Sequence, residues 1–270
     1  MTTKQPLTAP DAALSRSQTK RYLMVAGWVL WVALVFFVAS FTVALVLYVL
    51  QKSQLLNVKE IGTAGAFWID AALYMVMFII VMWLPWLHWR RTRKGNQPPR
   101  EKRTESWRFL QKSVGLTRSV RGEDWRYYVA GLPVFYITVL VLSIVAAMIF
   151  GDEVMNQTQE IGFAVTNNVS ELVFIFVALV IVAPLFEEMM MRGFLFGKLR
   201  EYLSLWPSAV LVSLVFALAH GQINVGIMTF ILSMFACRMR EKTGVIWAGL
   251  FLHMTVNLIA YSVRFLGLGS

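Results

Sequence analysis

Long uncharged apolar runs recur along this chain and restrict its fold more than any other feature. A helix that crosses the ~30 Å hydrocarbon layer of a bilayer needs about 20 mainly apolar residues. The first run is too long for a signal-peptide core and is interpreted as a retained span. The runs predict an all-α polytopic membrane protein with about seven, or eight, transmembrane helices. They cover 22–50, 71–89, 127–150 and 172–186, and more weakly 203–219, 223–237 and 245–263.

The net charge of +10 is distributed unevenly between the segments that join these runs. With the N-terminus in the cytoplasm, all 25 Lys and Arg residues except Lys52, Lys59 and Arg264 fall on the cytoplasmic side of the predicted spans. This positive-inside pattern predicts a multi-pass protein of the cell membrane with a cytoplasmic N-terminus. Basic residues in such loops set topology and contact anionic lipids, so the bilayer, and not a nucleic acid, is the expected partner.

Changes in composition divide the chain into four parts. The middle part combines dense basic charge with Pro98 and Pro99, a composition that favours a flexible linker over a packed core. The single cysteine, Cys237, excludes an intramolecular disulfide bond and a cysteine-rich metal site. The four parts are a disordered cytoplasmic N-terminus (1–21), a two-span unit (22–90), the basic linker (91–123) and a membrane-embedded core (124–265).

Two adjacent carboxylates, Glu187 and Glu188, interrupt the apolar sequence VFIFVALVIVAPLFEEMMMRGFLFGKL. One charged side chain at the centre of a bilayer costs at least ~2.5 kcal/mol, so such residues need polar partners and are functional-site candidates. Later runs supply His220, His253 and Asn257. At 1.5 Å per helical residue, counted from cytoplasmic charges or a helix start, all of these groups lie ~17–23 Å deep. Three helices therefore bring their polar groups to one level of the membrane.

Spacing within each helix separates the roles of these groups. Glu188 and Arg192 are four residues apart and can form an ion pair on one helix face. Glu187 is rotated by about 100° from Glu188, which predicts that Arg192 holds Glu188 while Glu187 faces the histidines. A purely structural role for the Glu188–Arg192 pair remains an alternative. The same spacing relates two further pairs, Phe216 with His220 and His253 with Asn257.

These residue types suit hydrolysis of an amide bond without a serine or cysteine nucleophile. A carboxylate buried in the membrane can act as a base, and a histidine beside it can share the proton and orient a water molecule. A second histidine and an asparagine amide can donate hydrogen bonds to an oxyanion. Alternatively, Glu187, His220 and His253 are candidate ligands for Zn²⁺ or another divalent metal. The sequence makes no cofactor certain, and it lacks the His-Glu-x-x-His helix that usually marks such metal sites.

Three ordered motifs on successive membrane segments carry a family resemblance. They read EEMMMR with Glu187 at its start, FALAH ending at His220, and HMTVN from His253 to Asn257, and Ala183-Pro184 precedes the first. In these motifs the chain resembles the CaaX-protease and bacteriocin-processing (CPBP, or Abi) family of intramembrane endopeptidases, and in particular the Ras-converting type of CaaX prenyl endopeptidase. The diagnostic part is 168–263.

The resemblance implies a glutamate-dependent membrane endopeptidase, of a family that has also been described as metalloproteases. It implies that Glu187 with His220 activates water, that His253 with Asn257 stabilises the oxyanion, and that Glu188, Arg192 and Phe216 support the site. One departure is Met191, where the family often has an aromatic residue before the arginine. This difference alters packing beside the site and touches no catalytic group.

Two other functional classes remain open for the same residues. One is a catalytically silent membrane scaffold or immunity factor that keeps the fold and controls a partner. The other is a proton- or metal-coupled transporter, which is disfavoured because the sequence has no inverted repeat. For the peptidase, the expected substrate is a membrane-bound or lipidated peptide or protein. Neither the substrate nor the oligomeric state follows from the sequence.

Overall fold

The structure is a computed structural model that describes residues 9–55, 61–92, 99–157 and 163–267. All regular secondary structure in these residues is helical, which confirms the predicted all-α fold. The nine helices are α1 (Ala9–Lys52), α2 (Thr63–Thr92), α3 (Pro99–Ser113), α4 (Gly122–Phe150), α5 (Asp152–Met155), α6 (Val169–Leu199), α7 (Leu205–Leu218), α8 (Ile223–Thr243) and α9 (Trp247–Phe265).

Five of these helices are long and apolar enough to cross a membrane. The shorter helix α7 is apolar throughout, whereas α9 falls outside the five because it carries His253, Asn257 and Arg264. The polytopic membrane architecture is thereby supported, and the number of seven spans stays a prediction. The five candidate spans are Gln18–Lys52, Thr63–Leu87, Gly122–Phe150, Val169–Leu199 and Ile223–Thr243.

Two segments predicted to be irregular contain helix. Helix α1 begins at Ala9, inside the N-terminal part predicted to be disordered, and residues 1–8 lie outside the described residues. Ala12, Ala13 and Leu14 are strong helix formers, which favours this extension of the long apolar helix. Helix α3 likewise occupies much of the basic linker, of which residues 93–98 are not described.

Helix α6 is continuous but not regular. Two π-helical segments, Val177–Val182 and Met189–Leu195, flank a short α-helical part, Ala183–Glu188, that ends on the paired glutamates. Each π-helical turn adds a residue to the helix and changes the direction of the side chains that follow it. Such wide turns are frequent at functional sites, and the sequence pattern did not predict them.

Packing places α6 between the N-terminal and C-terminal helices. Helix α8 contacts α4, α7 and α9, whereas α6 packs between α9 on one side and α2 on the other. Helices α1 and α2 pack on each other and share a hydrophobic core with α6 and α7, in which Val32, Val81, Leu195 and Val212 are fully buried. The two-span unit is therefore in direct contact with the helix that bears the glutamates.

The connection between α3 and α4 also lies against α6. A Cβ atom on Gly193 would fall 2.3 Å from the backbone oxygen of Val114, so only glycine permits this approach. Gly115 follows with a φ of +73°, and its carbonyl accepts a hydrogen bond from the backbone N–H of Ile246, just before α9. The connection thereby joins the second π-helical segment to the start of α9.

Candidate active site

Glu188 is the fixed member of the glutamate pair. Its side chain has no exposed surface, and its Oε1 atom lies 2.9 Å from Nη1 of Arg192. The same oxygen lies 3.1 Å from Nδ1 of His253. A carboxylate can accept several hydrogen bonds through one oxygen, so Glu188 joins a cation on its own helix to a histidine on α9. The predicted Glu188–Arg192 ion pair is therefore present in the structure.

Arg192 lies in an environment that is unusual for a guanidinium group. It is fully buried, and its Cζ atom lies 4.5 Å from the centre of the Phe216 ring, a cation–π distance. The separation from Glu188 is that of an ion pair, although no guanidinium nitrogen has hydrogen-bonding geometry to a described acceptor. The ring face of Phe216 thus supplies part of the stabilisation that a second carboxylate would otherwise give.

His253 lies between the two glutamates. Its Nδ1 atom points to Glu188, and its Nε2 atom lies 3.6 Å from Oε2 of Glu187. The second distance is longer than a direct hydrogen bond but leaves the two groups close enough to exchange a proton after a small movement or through one water molecule. The sequence-based expectation that Glu187 faces a histidine is met by His253.

The other oxygen of Glu187 is bound by a residue that the sequence did not point to. Tyr74 of α2 donates a hydrogen bond from its hydroxyl group to Oε1 of Glu187 at 2.6 Å. Its ring stacks on Phe186, with a centroid separation of 6.2 Å. A tyrosine within an apolar span gives no local sign of a catalytic role, and the motifs begin far along the chain from α2. Only the tertiary packing of α2 against α6 reveals this contact.

His220 occupies a different position from the one predicted. Helix α7 ends at Leu218, so His220 lies in the turn beyond it, where its Nδ1 atom is 2.8 Å from the carbonyl oxygen of Phe216. Because a carbonyl can only accept, Nδ1 carries a hydrogen, and in the neutral form of the ring Nε2 then has a free lone pair. Within the described part of the chain, His220 makes its polar and ring contacts with Phe216 and none with Glu187. Unpaired carbonyls at a helix end attract such donors, which explains the difference.

Asn257 anchors α9 to α6 one helical turn beyond His253. Its Nδ2 atom donates a hydrogen bond to the carbonyl oxygen of Leu179 at 2.7 Å. Leu179 belongs to the first π-helical segment, Val177–Val182. The second N–H of the Asn257 amide is not used by this bond and is available to a ligand. The structure thus brings Asn257 to the helix of the glutamates without a direct contact to either carboxylate among the described residues.

The two ring nitrogens of His253 face different carboxylates. When both nitrogens carry hydrogen, Nδ1 donates to Glu188 and Nε2 points its N–H towards Glu187. Such an arrangement joins both glutamates to one ring, because a buried charge without a partner is costly.

The described residues do not form a metal site. No three His, Cys, Asp or Glu side chains converge as ligands in the described part of the chain. Of the candidate ligands, Glu187 and His253 are neighbours, but the recorded contacts of His220 are with Phe216. Three protein ligands are the usual minimum for catalytic zinc, so this arrangement does not fit the ion.

Comparison with known proteins finds a family that matches part of the chain. Residues 169–259 match the family described as type II CAAX prenyl endopeptidase, Rce1-like. No curated protein and no solved structure matches the chain. The matched residues include the glutamate pair on α6, His220 after α7, and His253 and Asn257 on α9, but not Tyr74 on α2. The segment that holds the glutamates, histidines and asparagine is therefore similar to the Rce1-like family, the resemblance that its motifs predicted.

Proposed function

We propose that the protein is an intramembrane endopeptidase that hydrolyses a peptide bond in a membrane-bound or lipidated peptide. The observation that carries this proposal is the buried contact of His253 with both glutamates, Nδ1 on Glu188 and Nε2 towards Glu187. This contact brings together a base, Glu187, and a proton donor, His253, within a few ångströms. Each has a partner that holds it: Tyr74 bonds to Glu187, and Glu188 bonds to His253. Buried charges of this kind often add no more stability than apolar side chains of similar volume, so a scaffold role alone does not call for them.

Glu187 is the general base of the proposed reaction. Its carboxylate takes a proton from a water molecule as the water oxygen attacks the carbonyl carbon of the scissile peptide. The N–H at Nε2 of His253 and the free amide N–H of Asn257 donate to the oxyanion that forms. When the carbon–nitrogen bond breaks, the proton on Glu187 passes to the leaving nitrogen. The products leave as a carboxylic acid, which keeps the second proton of the water, and an amine, and they exchange a proton in solution to become a carboxylate and an ammonium group. The site thereby returns to its starting protonation state.

Three residues support this reaction without taking part in proton transfer to the substrate. Glu188 orients the His253 ring through Nδ1, and Arg192 balances the charge of Glu188. His220, whose Nε2 keeps a lone pair, is assigned to accept a hydrogen bond from the attacking water, the role that the family resemblance implies.

Removal of the base tests the proposal against the scaffold alternative. Membrane peptides are compared by mass spectrometry between host cells that produce the wild-type protein, the Glu187→Ala variant and a Glu201→Ala control. Glu201 is half-exposed and pairs with Lys198 near the end of α6, away from the cluster. We expect uncleaved membrane peptides to accumulate with Glu187→Ala and not with Glu201→Ala. An identical peptide pattern for Glu187→Ala and wild type would refute the peptidase and favour a scaffold or immunity role.

We also propose a cytoplasmic N-terminus in the cell membrane, on the strength of the positive-inside pattern of basic residues. The proposed substrate then meets the site from within the bilayer, in keeping with the depth of the glutamates. Accessibility of a cysteine introduced at Ser17, in a variant with Cys237→Ala, to an impermeant thiol reagent tests this topology in intact cells. Labelling without permeabilisation would reverse the proposed orientation.

A further inference from the structure

We propose that Tyr74 is a positioning residue of the active site, so that the catalytic unit includes α2 and extends beyond residues 169–259. The inference rests on the proposed function, since it assigns Tyr74 a role through Glu187. It is carried by one juxtaposition: the hydroxyl group of Tyr74 donates to Oε1 of Glu187 while His253 faces Oε2.

The contact has the properties of a strong hydrogen bond. Its length of 2.6 Å lies in the range for a hydroxyl donor and an ionised carboxylate. Glu187 is only 8% exposed, so solvent does not compete effectively for its oxygen atoms. A charge-assisted bond in such surroundings is worth more than the same bond at a wet surface.

Aromatic packing aims the hydroxyl group. The Tyr74 ring stacks on Phe186 at 6.2 Å and 20°, and Phe186 in turn meets Phe78 edge-on at 5.6 Å. Phe78 is one turn from Tyr74 on α2, and Phe186 directly precedes Glu187 on α6. The three rings therefore join α2 to α6 beside Glu187, and packing on both helices fixes the direction of the Tyr74 hydroxyl group.

This geometry assigns different tasks to the two oxygens of Glu187. With Oε1 occupied by Tyr74, the carboxylate cannot rotate freely, and Oε2 is kept on the side of His253. Oε2 is then the atom that receives the proton of the attacking water and later delivers it to the leaving nitrogen. Tyr74 supports the ionised base before attack and transfers no proton itself. A catalytic group held in one orientation loses less free energy in reaching the transition state.

The alternative is that Tyr74 only ties α2 to α6. The Tyr74→Phe variant separates the two roles because it keeps the ring stacked on Phe186 and removes only the hydroxyl group. A matched control is Tyr128→Phe, since Tyr128 also forms a hydroxyl bond between helices, to Thr255 at 2.8 Å, and has no recorded contact with either glutamate. Both variants lose one side-chain hydrogen bond of the helix bundle.

The experiment measures kcat and KM of the full chain in proteoliposomes with a fluorogenic farnesylated CAAX peptide, or with a peptide that accumulates in Glu187→Ala membranes. We expect Tyr74→Phe to lower kcat by about tenfold or more, with KM within about twofold of wild type, because a hydrogen bond to an ionised group is lost. Tyr128→Phe is expected to leave kcat within about twofold. In a Glu187→Asp variant the shorter carboxylate no longer reaches the Tyr74 hydroxyl group. Adding Tyr74→Phe to that variant is therefore expected to change kcat little further.

Each outcome decides between the roles. Equal kcat values for Tyr74→Phe and wild type would overturn the inference and leave the proposed function intact. Equal losses in Tyr74→Phe and Tyr128→Phe, or a rise in KM alone, would reduce Tyr74 to a structural tie and likewise overturn it. Absence of cleavage of both peptides by the wild-type protein would overturn the proposed function and this inference with it.

Discussion

Replacing Arg192 with methionine removes the cation from a carboxylate that has no exposed surface. Breaking a buried ion pair by deleting one partner typically costs 3–5 kcal/mol, because the remaining charge is left unbalanced. Two features of the structure favour the lower end of that range. The pair has one close contact, at 2.9 Å, and His253 stays within 3.1 Å of the same Glu188 oxygen, where it can carry positive charge. We therefore expect Arg192→Met to lower the free energy of unfolding by ~3 kcal/mol.

A double-mutant cycle makes this expectation specific to the pair. Glu188→Gln alone leaves the buried guanidinium unbalanced and is also expected to cost ~3 kcal/mol. The double variant contains no unbalanced charge and is expected to cost only ~2 kcal/mol, which gives a coupling energy of ~4 kcal/mol. Unfolding in mixed micelles of detergent and SDS, followed by tryptophan fluorescence, measures all three variants.

The same substitution at a surface pair is the control. Arg200 contacts Glu241 at 2.7 Å, but both side chains are 30% exposed, and Arg200→Met is expected to cost less than about 1 kcal/mol. The hydrogen bond from Arg200 to Glu241 holds the pKa of Arg200 above its usual value, so Arg200 is charged at neutral pH. Additive costs for Glu188→Gln and Arg192→Met, or equal costs for Arg192→Met and Arg200→Met, would refute the reasoning.

Two further predictions concern packing and metal dependence. Gly193→Ala places a Cβ atom 2.3 Å from a backbone oxygen of the α3–α4 connection and is expected to destabilise the fold by at least ~1–3 kcal/mol. Gly197→Ala is the control, because a Cβ atom there has no neighbour within 4 Å. In the same unfolding assay it is expected to be neutral or stabilising. Because the described residues lack a three-ligand set, treatment with EDTA is expected to leave kcat within about twofold of the untreated protein. A loss of cleavage with EDTA that Zn²⁺ restores would show that the site rearranges around a metal.

The sequence was most informative where polar groups interrupt apolar helices. Glu187, Glu188 and His253 stand out because a charged group in a membrane helix requires a partner, and few partners are available in such a chain. The i,i+4 spacing then identified the Glu188–Arg192 pair, since helix geometry alone brings those residues together. These predictions depend on the cost of a charge in an apolar helix and on the spacing of residues along that helix. Both can be read from a single sequence.

The remaining features depend on tertiary packing or on local irregularity. Nothing in the sequence around Tyr74 distinguishes it from the other tyrosines of the apolar helices. Its role follows from the packing of α2 against α6, which brings its hydroxyl group to Glu187. The π-helical segments of α6 lie in a run of mainly apolar residues that has no distinct pattern to predict them. The pairing of Glu187 with His220 assumed that α7 continues through His220, whereas it ends at Leu218. Regular helix geometry is a poor guide beyond a helix end.

The burial of Glu187 and His253 beside Glu188 and Arg192 has a consequence for energy coupling. In the proposed reaction the proton that Glu187 takes from water leaves on the amine product, so no net charge enters or leaves the low-dielectric site during a turnover. Movement of a charge across the membrane field would cost about 2.3 kcal/mol per 100 mV, and this cycle avoids it. A peptidase that works in this way would therefore cut at the same rate in energised and in de-energised membranes.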